Sequence, residues 1–278
     1  MLWGIGINKS MSGNPDLSQQ SFFHIRSDGA FVGNEAARGP WSPDHCHAGP
    51  VTGLVARAAE TEVGPEKMLT RLTIDMLRPM PLAGLRVAAE TTRHTKTMAT
   101  TRVTVHDLDD TLCATATTMH LVRRNLGPVP NVAVPPPQLE DAVIGPFPIG
   151  ETRHNLGGFA NHTEILYPKG VSFGPGPKAI WMRAPSLLSD EVQSPIQALC
   201  PLADCANGLS WNAPTTEMGF MNTDLTVQIH REPVSDWLAS DSICHWQPSG
   251  IGMSQAVLYD TEGPVGAALQ TLVLFPQS

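Results

Sequence analysis

Apolar and polar residues follow the same order twice along the chain. In the first half, the pattern predicts a pair of strands over residues 21–32 and then a helix over 48–61, where apolar residues recur at helical spacing. Four strand-like runs with turn residues between them follow, at 69–77, 85–94, 97–106 and 111–122. A helix followed by antiparallel strands favours an α+β layer in which the helix packs across a sheet.

The second half repeats this order. A strand over 178–184 precedes a helix predicted over 195–211, and further strands are predicted over 221–230, 238–247, 252–259 and 265–275. Two segments anchor the repeat, because LTIDMLRPMP in the first half matches LTVQIHREPV in the second. Aligning Arg78 with Arg231 sets the offset at 231 − 78 = 153 residues, which is too long for a solenoid unit and indicates tandem domains of one fold.

Prolines and glycines are concentrated between the two repeats, where hydrophobic periodicity is weak. We therefore predict an N-terminal domain over 1–125, a linker over 126–158 and a C-terminal domain over 159–278. A chain of 278 residues is long enough for two such domains, each with its own buried core.

Composition and charge restrict the partners. Charged residues make up 16% of the chain and the net charge is −8, so no basic field is present to attract nucleic acid or an anionic membrane surface. A polyanionic ligand would need a local group of Lys and Arg. The five cysteines are odd in number and scattered, which favours a reducing compartment, and no apolar run is long enough for a membrane span. We expect a soluble, cytoplasmic protein.

Several segments resemble one enzyme family. In the second half they are LADCANGLSW, FMNTDLTVQIHREP and LYDTEGPVGAALQTLVLF, and in the first half GPWSPDHCHAGP and RLTIDMLRPMP. They resemble thioesterase II-like enzymes, which contain two tandem hotdog domains, each with a long helix packed on a curved antiparallel sheet. The resemblance implies a double hotdog α+β fold and hydrolysis of fatty or related acyl-CoA thioesters.

The resemblance also implies a catalytic set. Such enzymes hold a water with an Asp on the second long helix, a Ser or Thr at the start of the next strand and a Gln on the last strand. The matching positions are Asp204, Asn222 and Gln270. Asn222 departs from the family pattern because an amide replaces a hydroxyl, although an amide can also bind water. Thr223 is the alternative if the alignment is shifted by one residue.

Thioester hydrolysis requires a positioned water, a base and a donor for the oxyanion. We expect Asp204 to act as the base or to orient the water, and backbone N–H groups at a helix N-terminus to bind the oxyanion. The candidate substrate-binding residues are His47, Gly49, Trp211 and Arg231. An apolar groove for the acyl chain is expected near Trp41, Leu54, Trp211 and Met218.

Each candidate also has a structural interpretation. A polar side chain in an apolar run, such as Asp204 or Gln270, can cap a turn or bond a neighbouring backbone group in the core. Arg78 and Arg231 at equivalent repeat positions could contact CoA phosphates, but they could equally form structural salt bridges. The segment GVSFG matches a nucleophile elbow, but the prolines after it favour a loop at Ser172.

Three functions remain open from the sequence. The first is an acyl-CoA thioesterase that uses no cofactor and no metal, because the cluster 44–47 (DHCH) has no second ligand pair at a recognisable spacing. The second is a non-catalytic acyl-CoA or lipid-binding double hotdog protein, which the Asn at position 222 keeps open. The third is a hydratase or dehydratase that would pair Asp44 with His45 or His47. A homo-oligomer, such as a dimer of double hotdogs, is an expected assembly.

Overall fold

The computed structural model describes residues 16–149 and 157–276. Their strands form one sheet of 15 strands, and no helix among these residues is long and apolar enough to cross a membrane. In the sheet, the order is β10-β1-β2-β4-β5-β6-β3-β12-β15-β14-β13-β9-β8-β7, and β11 pairs with β15 outside this path.

The first half contains one long helix and six strands. The helix α1 begins after His47, whose side chain accepts a hydrogen bond from the Gly49 N–H, and ends at Gly64, which has φ of 83°. The elements are β1 (Ser21–Ile25), β2 (Phe31–Gly33), α1 (Ala48–Val63), β3 (Lys67–Met76), β4 (Leu85–His94), β5 (Met98–Asp107) and β6 (Leu112–Val122). Apolar residues of α1 are buried against β3, β4 and β5, which is the helix-on-sheet layer that the sequence predicts.

The second half contains two short helices and nine strands. The elements are β7 (Val143–Gly145), β8 (Glu164–Tyr167), β9 (Lys178–Arg183), β10 (Ser186–Leu188), α2 (Pro195–Ala203), α3 (Ala206–Leu209), β11 (Met218–Asn222), β12 (Asp224–Ile229), β13 (Leu238–Trp246), β14 (Ile251–Asp260) and β15 (Gly263–Pro276). Helix α2 packs against α1, and α3 packs against β13, β14 and β15.

The two halves meet at an antiparallel pairing of β3 with β12. Thr73 lies opposite Thr226, and their hydroxyl oxygens are 3.1 Å apart. These two residues are separated by 153 positions, which is the offset of the sequence repeat. An antiparallel pair of equivalent residues marks a local twofold axis, so the repeat is also a structural one. The predicted double hotdog α+β fold is confirmed.

Two predicted elements are wrong in detail. The helix predicted over 195–211 is interrupted at Asp204 and Cys205, where α2 ends and α3 begins. The strand predicted over 221–230 divides at Thr223 into β11 and β12. In addition, β7 lies inside the predicted linker 126–158 and pairs with β8, so part of that segment joins the sheet of the second half. The domain boundaries themselves stay a prediction.

Candidate active site

The interruption between α2 and α3 places Asp204 at the end of a helix. Pro201 lies inside α2 and has no N–H to donate, which weakens the last turn. Asp204 and Cys205 stay in the right-handed helical region, but their ψ angles of −11° and −7° depart from the regular α-helical value of about −42°. The N–H groups of Asp204 and Cys205 bond carbonyls of α2, whereas the Asp204 carbonyl and the Asn207 N–H take partners from outside the two helices.

Gln270 of β15 supplies those partners. Its Nε2 donates to the backbone carbonyl of Asp204 at 2.9 Å and to the Oδ1 atom of the same residue at 3.1 Å. Its Oε1 accepts from the backbone N–H of Asn207 at 3.2 Å and from the Ser254 hydroxyl at 2.6 Å. Because both donors reach Oε1, the amide is held with its Nε2 toward Asp204. The buried Gln270 thus satisfies the interrupted helix and orients the carboxyl group.

Asn222, at the end of β11, holds the same carboxyl oxygen. Its Nδ2 donates to Asp204 Oδ1 at 2.8 Å, and its Oδ1 accepts from Asn207 Nδ2 at 3.4 Å. The Thr223 hydroxyl does not bond Asp204, because it donates to the carbonyl of Thr271 at 3.4 Å. Asn222 is therefore the residue of the two that contacts Asp204, and its assignment to the Ser or Thr position of the family stays a prediction.

The second carboxyl oxygen of Asp204 faces the first half of the chain. Its Oδ2 lies 3.2 Å from Nδ1 of His47, the residue that caps α1. The N–H of Gly49 also hydrogen-bonds the Asp204 carboxyl. A Cβ atom added at Gly49 would lie 2.9 Å from the Cα and carbonyl oxygen of Pro201. Glycine at this position is what allows the amino end of α1 to reach Asp204.

Burial shifts the proton affinity of both members of this pair. Asp204 is 4% exposed, and this burial raises its pKa to about 7, although hydrogen bonds from Asn222, Gly49 and Gln270 act in the opposite direction. Burial also lowers the pKa of His47 to about 4. Near neutral pH, His47 is therefore neutral, and Asp204 is the group that changes charge.

Asp204 opens into a cavity of about 880 Å³ lined by residues from both halves. The His47 ring stacks on Phe159 with the ring centroids 4.1 Å apart, and Trp41 packs edge-on against Phe220 at 6.2 Å. The apolar side chains of the wall include Trp41, Met76, Met80, Phe147, Phe159 and Phe220. A largely apolar cavity with a few polar groups at one place is typical of a small-molecule site.

Some predicted substrate-binding residues lie elsewhere. Arg231 binds Asp260 in an ion pair, and Trp211 lies beside Lys178, whose Nζ is 5.6 Å from the Trp211 ring centroid. Neither residue lines the cavity. Of the residues expected around an apolar groove, Trp41 lines this cavity, whereas Leu54 is buried in the core and Met218 lies outside the lining.

Two other sequence motifs do not supply the chemistry that their patterns resemble, although His45, Cys46 and His47 of the cluster 44–47 line the cavity. Among the described residues, no group of three or more His, Cys, Asp and Glu side chains is arranged to hold a metal ion, and this applies to the cluster 44–47 as well. Ser172 lies in the loop between β8 and β9, where its hydroxyl accepts the Gly174 N–H at 3.0 Å.

Sequence reasoning missed two residues that hold Gln270 and Asn222 in place. Asn207 follows the helix interruption, and Ser254 lies on β14 opposite Gln270. Ser254 alternates with exposed residues on its strand, so the pattern could only have shown that it faces the interior. Phe147, within the predicted linker, was also missed as part of the cavity wall.

Comparison with known families covers most of the chain. The sequence profile of the acyl-CoA thioesterase N-terminal domain matches residues 37–121, and that of the acyl-CoA thioesterase C-terminal domain matches residues 135–274. No protein with a curated description matches the chain significantly.

Solved structures share the fold at low sequence identity. A candidate thioesterase from Novosphingobium aromaticivorans is 20% identical with a TM-score of 0.68, covering 91% of this chain and 98% of its own. A hotdog-fold protein of unknown function from Alicyclobacillus acidocaldarius is 16% identical with a TM-score of 0.67, covering 91% and 96%. An acyl-CoA thioesterase II from Mycobacterium marinum is 16% identical with a TM-score of 0.61, covering 94% and 97%. Because the two domain profiles together match most of the chain, the chain belongs to the acyl-CoA thioesterase family as a thioester hydrolase.

Proposed function

We propose that the protein hydrolyses fatty or related acyl-CoA thioesters with a water that Asp204 activates and that Asn222 and Gln270 help to position. The observation that carries this proposal is a buried carboxyl group, with a pKa near 7, held by two side-chain amides at the wall of a largely apolar cavity. A carboxylate offers about four lone-pair sites, so it can hold a water on the cavity side while both amides stay bonded.

The proposed reaction needs no covalent intermediate on the enzyme. Asp204 accepts a proton from the water. The oxygen of the water attacks the thioester carbonyl carbon, and the carbonyl oxygen becomes an oxyanion. The amino end of α1 borders the cavity at His47 and Ala48, and its N–H groups and dipole favour that negative charge. The intermediate then collapses, the carbon–sulfur bond breaks, and the CoA thiol leaves with a proton returned from Asp204.

The neutral His47 ring has a supporting role in this scheme. It stacks on Phe159 and contacts Asp204 Oδ2, so it fixes the carboxyl group from the side of the first half. The aromatic wall beside it, including Trp41 and Phe220, is suited to an apolar acyl group.

Thiol release from a panel of short, medium and long acyl-CoAs tests the proposal. We expect release with the native protein and a loss of at least about a hundredfold in kcat with Asp204→Ala, since removal of a general base typically costs that much. Acyl-CoA binding should persist in the variant. Binding without thiol release by the native protein would contradict the proposal and favour the non-catalytic acyl-CoA or lipid-binding alternative.

The contact between His47 and Asp204 favours hydration of an enoyl-CoA as a second candidate activity. An imidazole and a carboxyl group 3.2 Å apart at the cavity wall can move a proton to or from the carbon next to a thioester carbonyl. This pair differs from the pairing of Asp44 with His45 or His47 expected from the sequence. Loss of enoyl-CoA absorbance without thiol release would indicate hydration, whereas unchanged absorbance would exclude it.

Location and assembly are also proposals. The five cysteines are free, which is consistent with the reducing, cytoplasmic location expected from the sequence. We propose that acyl-CoA is the partner molecule and that double hotdogs associate as a homodimer. Light scattering on the purified protein would measure the assembly directly.

A further inference from the structure

The local twofold axis makes it possible to compare two arginines in equivalent places. Arg231 in the second half donates to both carboxylate oxygens of Asp260, at 2.6 and 2.5 Å, and to the backbone carbonyls of Gly263 and Pro264. Asp260 is fully buried. The charge of Arg231 is therefore neutralised within the protein, and its bonds hold a turn between two strands.

Arg78, the equivalent residue in the first half, has a different environment. The residue 153 positions before Asp260 is Asp107, but its carboxylate accepts the backbone N–H groups of Asp109 and Thr111, at 2.9 and 2.8 Å. The guanidinium of Arg78 donates instead to the carbonyl of Leu112 at 2.8 Å. Within residues 16–149 and 157–276, Arg78 forms no ion pair with a carboxylate.

Arg78 is exposed and lies at the cavity that contains Asp204. In the part of the chain that the structure describes, it is the one Lys or Arg that lines this cavity. The chain as a whole carries a net charge of −8, so its overall field repels an anionic substrate. A guanidinium without a carboxylate partner can bind a phosphate through two parallel N–H donors.

We propose that Arg78 binds a phosphate of the CoA nucleotide and sets the preference for CoA thioesters over thioesters that lack phosphate. This inference rests on the proposed function, because it assigns the anionic part of the same substrate. The same role is not assigned to Arg231, because Asp260 already occupies its guanidinium.

Equilibrium binding tests this assignment without depending on catalysis. The affinities of CoA, dephospho-CoA and pantetheine would be measured by calorimetry for the native protein and for Arg78→Gln. We expect the native protein to prefer CoA over pantetheine and the variant to lose about tenfold of that preference, since a charge-assisted hydrogen bond contributes on that order. Arg78→Lys should restore part of it. Dephospho-CoA shows whether the ribose phosphate or the diphosphate is the group bound.

A matched control is Arg86→Gln. Arg86 is an exposed arginine of the same half that donates to a backbone carbonyl, that of Leu108 at 3.2 Å, but it does not line the cavity. Its replacement should leave the ratio of CoA to pantetheine affinity unchanged. A ratio unaffected by Arg78→Gln, or equal affinities for CoA and pantetheine in the native protein, would overturn the assignment. Thiol release, measured separately, reports on the proposed function itself.

Discussion

At the scale of single residues, the burial of Asp204, the proposed catalytic base, should also lower the stability of the folded protein. The folded protein raises its pKa from 3.8 to about 7, so the folded state binds the proton more tightly than the unfolded chain does. A group with a raised folded-state pKa contributes stability below its unfolded pKa and loses it as pH rises toward the folded pKa. The native protein should therefore lose stability at this site between about pH 4 and pH 7.

The variant Asp204→Asn should reveal this cost. Asn cannot ionise, and its amide can donate to His47 Nδ1 as a protonated carboxyl group would. We expect the free energy of unfolding of the variant, minus that of the native protein, to increase by up to about 1.4 kcal/mol per pH unit from pH 4 to 7 and then to level off. Urea unfolding at pH 5 and pH 8 measures it. If the free energies of unfolding of the variant and the native protein differ by the same amount at pH 5 and at pH 8, the raised pKa of Asp204 is contradicted.

Gln270 is expected to stabilise the fold as well as the site. The variant Gln270→Leu leaves the Asp204 carbonyl and the Asn207 N–H without their partner, which should cost about 3 kcal/mol in the free energy of unfolding. Thr271→Val is the control, because Thr271 is on the same strand but faces outward. Urea unfolding should show a change below about 0.5 kcal/mol for the control. Equal stability of the two variants would contradict this role.

The sequence indicated a site residue only where a polar side chain lies within an apolar run. Asp204 and Gln270 are polar side chains in apolar runs, so the sequence alone marks both as candidates. Ser254 and Asn207 are ordinary in their context, and only the fold brings them to Gln270. The sequence could not show that Arg231 and Arg78 have different environments. Asp260 pairs with Arg231, whereas the equivalent Asp107 accepts backbone N–H groups.

The close approach of α1 to α2 is the feature of the elements on which the site depends most. A Cβ at Gly49 would meet backbone atoms of Pro201, which cannot move without separating the helices. We expect Gly49→Ala to cost about 1–3 kcal/mol in stability and to reduce thiol release strongly, because Asp204 would shift away from His47.

Gly53→Ala is the matched control one turn later. There an added Cβ would lie 3.0 Å from Cδ1 of Leu187, the end of a side chain that can rotate. Its effect on both stability and thiol release should be smaller. A Gly49→Ala variant as active and as stable as Gly53→Ala would show that the helix contact is not required.

The helix interruption explains why element boundaries were predicted less well than element types. Apolar spacing continues through residues 195–211, so the pattern favoured one helix. The interruption is maintained by Gln270, which is 66 residues away from Asp204 in sequence. Likewise, the division of the predicted strand at Thr223 accompanies a change in its pairing with β15, where Asn222 lies opposite Leu272 and Thr226 lies opposite Leu269. Long-range partners of this kind leave no local signal.

At the scale of the whole molecule, the cavity requires both halves. His47 and Gly49 come from the first half and Asp204 from the second, while β3 pairs with β12 across the junction. A protease site inserted at residues 129–131, which are exposed, should therefore be cleavable without loss of activity. The two fragments should co-elute in size-exclusion chromatography and keep the thiol release of the uncut protein. Fragments that separate after cleavage would contradict an assembly held by these contacts.

The repeat was the part of the architecture that the sequence predicted best. Two matching segments gave the offset of 153 residues, and the same offset separates the paired Thr73 and Thr226 at the twofold axis. The sequence did not show which cavity the buried carboxyl group of Asp204 would line, or that Asp260 would instead be bonded to Arg231. That difference arises from side chains such as Gln270 and Asp260, whose partners are set by the folded chain.

Isotope labelling in a single turnover tests most directly whether water attacks the thioester. Excess protein would be mixed with acyl-CoA in heavy-oxygen water, and the released acid would be analysed by mass spectrometry. Because Asp204 is proposed to activate water without forming a covalent bond, the acid should carry one heavy oxygen in the first turnover. An unlabelled acid, with the label found on Asp204, would show that the carboxylate attacks the substrate itself and would contradict direct attack by water.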